Sequence, residues 1–379
     1  MVVGATAVPR GELPSRLGSR LRVLHIDECF GVGTYRFLQP LTSQTSDRFE
    51  HALLFGNRSN RSAEELRADF PDVELRRWPH AVQKIRPFTD LLAVLEAIQE
   101  IRRFRPNIIH CHSSKAGALG RIAAIVTGHS SRTVYTPHGI SFCQSGHAPS
   151  HIRLFKLIEW SLARCGGVVV ACSDSERDAI EEAGIRSVLI RNGTAPRSPN
   201  VRHIERTRPP WRVISVGRFV AQKEPARFDA IARAFLDRRD VEFRWVGEGE
   251  LRDRLTSPNI TILGWRPSNE VFEELSAADI YCSTSSSEGL PLAVLEAMSC
   301  GLPLLLSDCV GNRDLVRSNT GRLFKDVSSG IRKLTEMLAM PEALPELGKG
   351  SREVAEREYS LFAMLESYSL LYEHQSNLT

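Results

Sequence analysis

Residues 279–308 read DIYCSTSSSEGLPLAVLEAMSCGLPLLLSD. Tyr281 to Ser285 reads as the end of a short strand with aromatic and β-branched residues. Leu292 to Met298 has the apolar spacing of a buried helix, and LPLLLS from Leu302 is strand-like again. Strand, helix and strand in quick succession build a parallel sheet covered by helices, so the class is α/β. Pro291 suits the first helical position, and Gly289 permits a sharp turn ahead of it. The unpaired amides of that helix start then face whatever lies beyond the strand end, and they attract anions such as phosphate. Glu288 stands just before this terminus and Glu296 about two turns in. An ionised carboxylate only accepts hydrogen bonds, so the arrangement suits a ligand with phosphates in its middle and hydroxyls at both ends, as in a nucleotide-sugar. On one helix alone, a carboxylate balancing the dipole and a solvated Glu296 read equally well.

The same alternation runs outward in both directions. LRVLHID, HALLFG, VELRRW, NIIHCH, RTVYTP, VVVACS and SVLIRN are strand-like, with helical patterns such as FTDLLAVLEAIQEIRRF between them. The stretch from Thr194 to Pro210 is rich in Pro and Arg and has no periodicity, and RVISVG, VEFRWVG and ITILGW then lead into the opening segment. The expectation is two doubly wound, Rossmann-like domains: 21–195, a linker at 196–210, and 211–357, with a disordered leader at 1–20. Ligands of such sheets sit outside the carboxyl ends of the strands.

A chain of 379 residues, 42% hydrophobic and 25% charged, is long enough for two good cores. Its net charge of +4, without a basic run interleaved with aromatics, argues against a nucleic-acid partner. The eight cysteines, among them Cys29, Cys111, Cys165, Cys172, Cys282 and Cys300, are scattered with no CxxC pair, and read as reduced core thiols of a cytoplasmic protein. No stretch is continuous and apolar enough for a signal peptide or a membrane span.

The two-glutamate segment, VGRFVAQKEP from Val216, HCHSSKAG from His110 and YTPHG from Tyr135, taken in their order, resemble the GT-B glycosyltransferases of family 4. The resemblance covers Leu21 to about Tyr372 and, through HSSKAG with TPHG, is similar to bacterial enzymes of capsule, exopolysaccharide or O-antigen assembly. It implies a retaining, metal-independent enzyme with no cofactor, a UDP-linked donor sugar, a lipid-linked glycan acceptor and peripheral contact with the cytoplasmic face of the inner membrane. It further implies that the helix SLFAMLESYSLLYEH, within 358–379, crosses back onto the first domain. Arg218 and Lys223, in the loop after Gly217, would stabilise the charge of the departing diphosphate. Glu296 would accept from the ribose, while Glu288, Gly289, Leu290 and Pro291 meet the sugar. Trp265 and Arg266 would lie by the base, although a strand-end Trp is more often core.

On the acceptor side the resemblance points to His112, Ser113, His138, Lys115, Gly31 and Gly33. His110 and His112 alternate on one strand and so share a face, with His112 expected to reach the cleft. Lys115 reads as a phosphate ligand or a surface charge. Two departures from the family pattern stand out. Glu224 replaces the usual glycine after Lys223, where it is expected to pair with that lysine, and Phe30 breaks a glycine pair at Gly31. The GVG at residues 31–33 lacks the third glycine of a dinucleotide loop, with Arg36 in its place, which disfavours a dehydrogenase. Lys84, Arg86, Arg102, Arg103 and Arg105 form a basic set suited to an anionic membrane. A nucleotide-sugar 2-epimerase of GT-B architecture and a degenerate transferase kept as a scaffold are the alternatives. The expected mechanism is attack from the face the diphosphate leaves, with that diphosphate helping to deprotonate the acceptor.

Overall fold

A computed structural model describes residues 20–56, 62–144, 148–195 and 209–378. The expected leader, apart from Arg20, and the linker, apart from 209 and 210, lie outside the described residues. The first sheet is built from β1 (Leu21–Asp27), β2 (Phe49–Phe55), β3 (Val73–Arg77), β4 (Ile108–His112), β5 (Thr133–Thr136), β6 (Val168–Ala171) and β7 (Ser187–Leu189). The second comprises β8 (Trp211–Val216), β9 (Val241–Val246), β10 (Ile260–Gly264), β11 (Ile280–Ser283), β12 (Leu304–Ser307) and β13 (Gly321–Phe324).

The orders are β3-β2-β1-β4-β5-β6-β7 and β10-β9-β8-β11-β12-β13, with parallel pairing. Each order reverses direction once, between β1 and β4 in the first sheet and between β8 and β11 in the second. A crevice opens beyond the strand ends at such a point. The residues that leave β1, β4, β8 and β11 at their carboxyl ends are therefore the ones placed to meet a ligand.

Three details depart from the sequence expectation. The edge strand β13, GRLF, has four residues and an arginine, too few for a readable period. Pro291 is not the first helical residue: it caps the helix Leu292–Ser299 in extended conformation, φ −71° and ψ 114°. Cys165 is exposed and Cys29 and Cys143 are half-buried, so core burial holds for the other five of the eight free thiols. The terminal helix Leu361–Ser376 inserts Met364, Leu365, Tyr368 and Tyr372 among Val23, Ile108 and Val134 of the first sheet, so the chain's end completes the core that its beginning opened. Among the described residues no helix is long and apolar enough to cross a membrane.

Candidate active site

Beyond β8, Gly217 donates to Val246 O at 2.9 Å, and its own carbonyl accepts from Trp245 Nε1 at 2.8 Å. The side chain of Lys223 folds over Gly217, where an added Cβ would lie 3.3 Å from the lysine Cε. Lys223 Nζ then reaches Glu288 Oε1 at 2.6 Å, with the carboxylate almost sealed. Gln222 stitches the two loops together, donating to Ser287 O at 2.7 Å, while Thr284 Oγ1 donates to Lys223 O at 2.8 Å. Arg218 is exposed beside them.

Glu224 does not pair with Lys223. It sits at φ +47°, a left-handed conformation that favours glycine, and turns its carboxylate to Arg227 at 3.2 Å. Lys223 is thus kept for Glu288, and the expected interference is absent. The other departure, Phe30, is fully buried against Tyr35, Phe55 and Phe70.

Gly289 is a glycine because of close approach. A Cβ there would stand 2.6 Å from Gly139 N and 2.7 Å from His138 C, so the donor-side loop and the first-domain loop touch backbone to backbone. Asn192 Nδ2 holds Leu290 O at 2.9 Å from the same side. The amides of Gly289 and Leu290 donate to no group among the described residues, which leaves two hydrogen-bond donors ahead of a helix start.

Glu296 is gripped across the domains. Arg36 Nη1 lies 2.5 and 2.6 Å from its two oxygens, and Arg36 Nη2 donates to Ser268 Oγ at 3.1 Å. Burial raises the Glu296 carboxyl above its ordinary range, and the Arg36 charge opposes that. The residue that spoils the dinucleotide motif is therefore a bridge between the two sheets, which sequence reading missed.

Beside Gly264, a cavity of about 440 Å³ is lined by Glu248, Gly249, Arg252, Ile262 and Leu263. Trp265 follows the lining residue Gly264 and is 54% exposed, so it is not a core residue, and its amide donates to Glu248 Oε1 at 3.3 Å. Arg266 pairs with Glu270 at 2.8 Å. Glu248 and Arg252 carried no motif that would have singled them out.

On the first-domain side the expectations need more correction. His112 does not face the cleft: it is fully buried, bonded to His25 at 3.1 Å and to His138 at 3.1 Å, with Phe37 against it. The reason is register. His51, His25, His110 and His112 occupy same-face positions of β2, β1 and β4, and Phe37 with Tyr368 and Tyr372 of the terminal helix packs on that face. His138 follows β5 at φ +53°, is half-buried, and its backbone lies against the donor-side loop at Gly289.

Lys115 is not available for a phosphate. Its Nζ is spent on Val82 O at 2.6 Å, Lys84 O at 2.7 Å and Asp90 at 2.6 Å. The helix start Ser114–Val126 is also filled from within: Glu28 accepts from Ala116 N at 3.0 Å and from the Ser113 hydroxyl. Burial raises the Glu28 carboxyl, opposed by those donors. Gly31 caps the helix Val32–Ser43, and a Cβ on Gly33 would meet nothing within 4 Å.

The family model of group 1 glycosyl transferases matches residues 210–340, and that of glycosyltransferase family 4 matches residues 41–198. The UDP-Gal:α-D-GlcNAc-diphosphoundecaprenol α-1,3-galactosyltransferase of Escherichia coli is 29% identical over 281 residues, covering 66% of this chain and 70% of that protein. The O-antigen biosynthesis glycosyltransferase WbnH of Escherichia coli is 26% identical, over 62% of this chain and 68% of its own. Anabaena HepE in complex with UDP and glucose superposes with a TM-score of 0.75 at 18% identity, over 94% of this chain and all of that one. Sucrose-phosphate synthase of Thermosynechococcus elongatus gives 0.76 at 15% identity, over 94% and 99%. The fold shared with these structures is GT-B.

Proposed function

We propose, for a chain that belongs to the family 4 glycosyltransferases, that it transfers a hexose or N-acetylhexosamine from a UDP-sugar to a lipid-linked glycan of bacterial surface polysaccharide, with retention and without a metal. One observation carries the reading: Arg218, the Lys223–Glu288 pair and the open amides of Gly289 and Leu290 converge at the ends of β8 and β11, against the His138–Gly139 loop of the other domain. Arg218 and Lys223 stabilise the charge gained by the leaving diphosphate, an effect commonly worth about 3 kcal/mol for one well-placed group. Glu296 accepts from the ribose once Arg36 yields, and the base lies in the cavity at Trp265. His138, rather than His112, meets the carbohydrate. The acceptor attacks from the side on which the diphosphate departs, and the diphosphate helps to take its proton. UDP and a diphospho-lipid acceptor are supported by the name of the E. coli relative and by the UDP-glucose complex of HepE.

Calorimetric titration with UDP, GDP, ADP and dTDP in EDTA tests this reading. Binding of UDP that disappears in Arg218→Ala and Glu296→Ala is expected. Binding that needs added Mg²⁺ would sink metal independence, and binding of none would favour a scaffold. A product altered in its sugar without any acceptor would favour the epimerase.

The acceptor's lipid also needs a surface. The helix Pro87–Phe104 exposes Phe88, Leu91, Leu92 and Leu95, and the helix Ser114–Val126 beside it exposes Ile125 and Val126. Lys84 and Arg86 flank this face, whereas Arg102, Arg103 and Arg105 lie at the far end of the first helix and Arg103 is paired with Glu74 and Glu100. The basic set thus divides, and Lys84 and Arg86 are the pair that accompanies the apolar face toward an anionic membrane. Co-sedimentation with phosphatidylglycerol vesicles, lost in a Phe88→Asp, Leu91→Asp double variant, is the expected result; equal recovery of both proteins would refute it.

A further inference from the structure

Behind His138 runs a chain of imidazoles. Thr45 Oγ1 lies 3.0 Å from His51 Nε2, His51 Nδ1 lies 3.0 Å from His25 Nε2, His25 Nδ1 lies 3.1 Å from His112 Nε2, and His112 Nδ1 lies 3.1 Å from His138 Nε2. His25, His51 and His112 are buried, and neighbouring rings stack with centroids 5.2 to 5.4 Å apart.

The chain has a direction. A threonine hydroxyl carries one hydrogen, and that of Thr45 goes to Leu41 O at 2.6 Å, an oxygen that can only accept. Thr45 Oγ1 must therefore accept from His51 Nε2–H. A neutral imidazole has one N–H and one lone pair, so each later link follows: His25, His112 and His138 all carry their proton on Nε2. The rings are neutral because burial, with neighbouring imidazoles as a further cause at His25 and His112, holds their pKa values down, to about 3 for His51 and His138. The outcome falls on His138 Nδ1, which bonds no group among the described residues and belongs to the half-buried member of the chain.

We infer that Thr45, His51, His25 and His112 are positioning residues that lock His138 as the Nε2–H tautomer, so that its Nδ1 accepts a hydrogen bond from a carbohydrate hydroxyl in the cleft. The inference rests on the reading of the cleft as a sugar-transfer site only for the identity of that hydroxyl. A buried metal held by His25, His110 and His112, whose nitrogens lie within 4.8 Å of one another, is the competing account. It is disfavoured because each ring nitrogen of the three already has a partner, with His110 bonded to Tyr372 at 2.6 Å and Thr136 at 2.9 Å.

The test is nitrogen-15 NMR of the histidine-labelled protein at neutral pH, on the wild type and on Thr45→Val and Thr45→Ser. The expected wild-type result is a proton on Nε2 of all four rings. Thr45→Val removes the acceptor that sets the direction, so the four rings should turn over to Nδ1–H and His138 should present a donor. The transfer rate should then fall about tenfold at unchanged UDP affinity, and Thr45→Ser should restore both tautomer and rate. A wild-type proton on His138 Nδ1, a metal retained in the cluster, or tautomers unmoved by Thr45→Val would each overturn the inference. Failure of the transferase reading would show separately, as absent UDP binding with the tautomers as expected.

Discussion

The two halves of the cleft are stabilised by opposite means. On the donor side charges are met by charges, Lys223 by Glu288 at 2.6 Å and Arg36 by Glu296 at 2.5 Å. On the acceptor side neutral imidazoles are bonded only to one another and to hydroxyls, beneath phenyl and phenol rings. An ion pair at an open cleft can be exchanged for a charged ligand at little net cost, which suits a site that must release a diphosphate in every cycle. A sealed neutral network cannot exchange with solvent, so it holds one geometry and one proton arrangement. The difference teaches which half is built to bind and which to hold still.

Acidification should break the neutral half first. The histidine pKa values are lowered on folding, so below pH 6.5 the unfolded chain binds protons that the native state refuses, and stability falls as pH drops from 6.5 toward 3. Each such imidazole contributes about 1.4 kcal/mol per pH unit across that window. The raised carboxyls of Glu28, Glu176 and Glu296 act in the other direction and offset part of it. Unfolding free energies from urea titrations at pH 7.5 and 5.5 should differ by roughly several kcal/mol; equal values would mean that the rings are not held neutral.

Lys223→Ala attacks the charged half. It removes a cation from the leaving group and strands a nearly buried Glu288, and initial rates should drop by a factor on the order of 10² to 10³. A drop below tenfold would remove Lys223 from the chemistry.

Glu176→Gln probes the first-domain loop that touches the donor side at Gly289. That buried carboxylate accepts from Gly139 N at 2.8 Å, Ile140 N at 3.0 Å and Cys172 N at 2.9 Å, and so shapes the loop that carries His138. An amide must point its NH₂ at one set of these donors, and a loss of about 2 kcal/mol in chemical denaturation is expected.

Arg36→Gln should have the smallest effect. Freeing Glu296 for the ribose should tighten UDP binding by about threefold in calorimetry. Weaker binding would show that Arg36 itself contacts the nucleotide.

What could be read in advance differed sharply between the halves. The placement of Glu288, Lys223 and Gly217 at the carboxyl ends of strands was legible because each lies within a few residues of a strand end or a helix start, where local chemistry limits what a side chain can do. His25 and His51 were not, since each is one polar residue inside an apolar strand and nothing local joins LRVLHID to FEHALLF. The trace that was available is their parity: in register, Val23 opposes His51 and His25 opposes His110, so the histidines of three strands share one face. Lys115 was misjudged for the same reason. Its partners Val82, Lys84 and Asp90 come from a loop and helix distant in sequence, and Glu28 fills the helix start beside it.

Sequence by itself determined the α/β class, the two series of strands and the donor-side motif, because periodicity and turn chemistry act between near neighbours along the chain. Only the tertiary structure decided that His112 is fully buried and His138 half-buried, that Glu224 turns away from Lys223, and that Arg36 closes on Glu296. Those outcomes depend on strand register and on which helix covers which face, and both are set by packing between segments that are far apart in sequence.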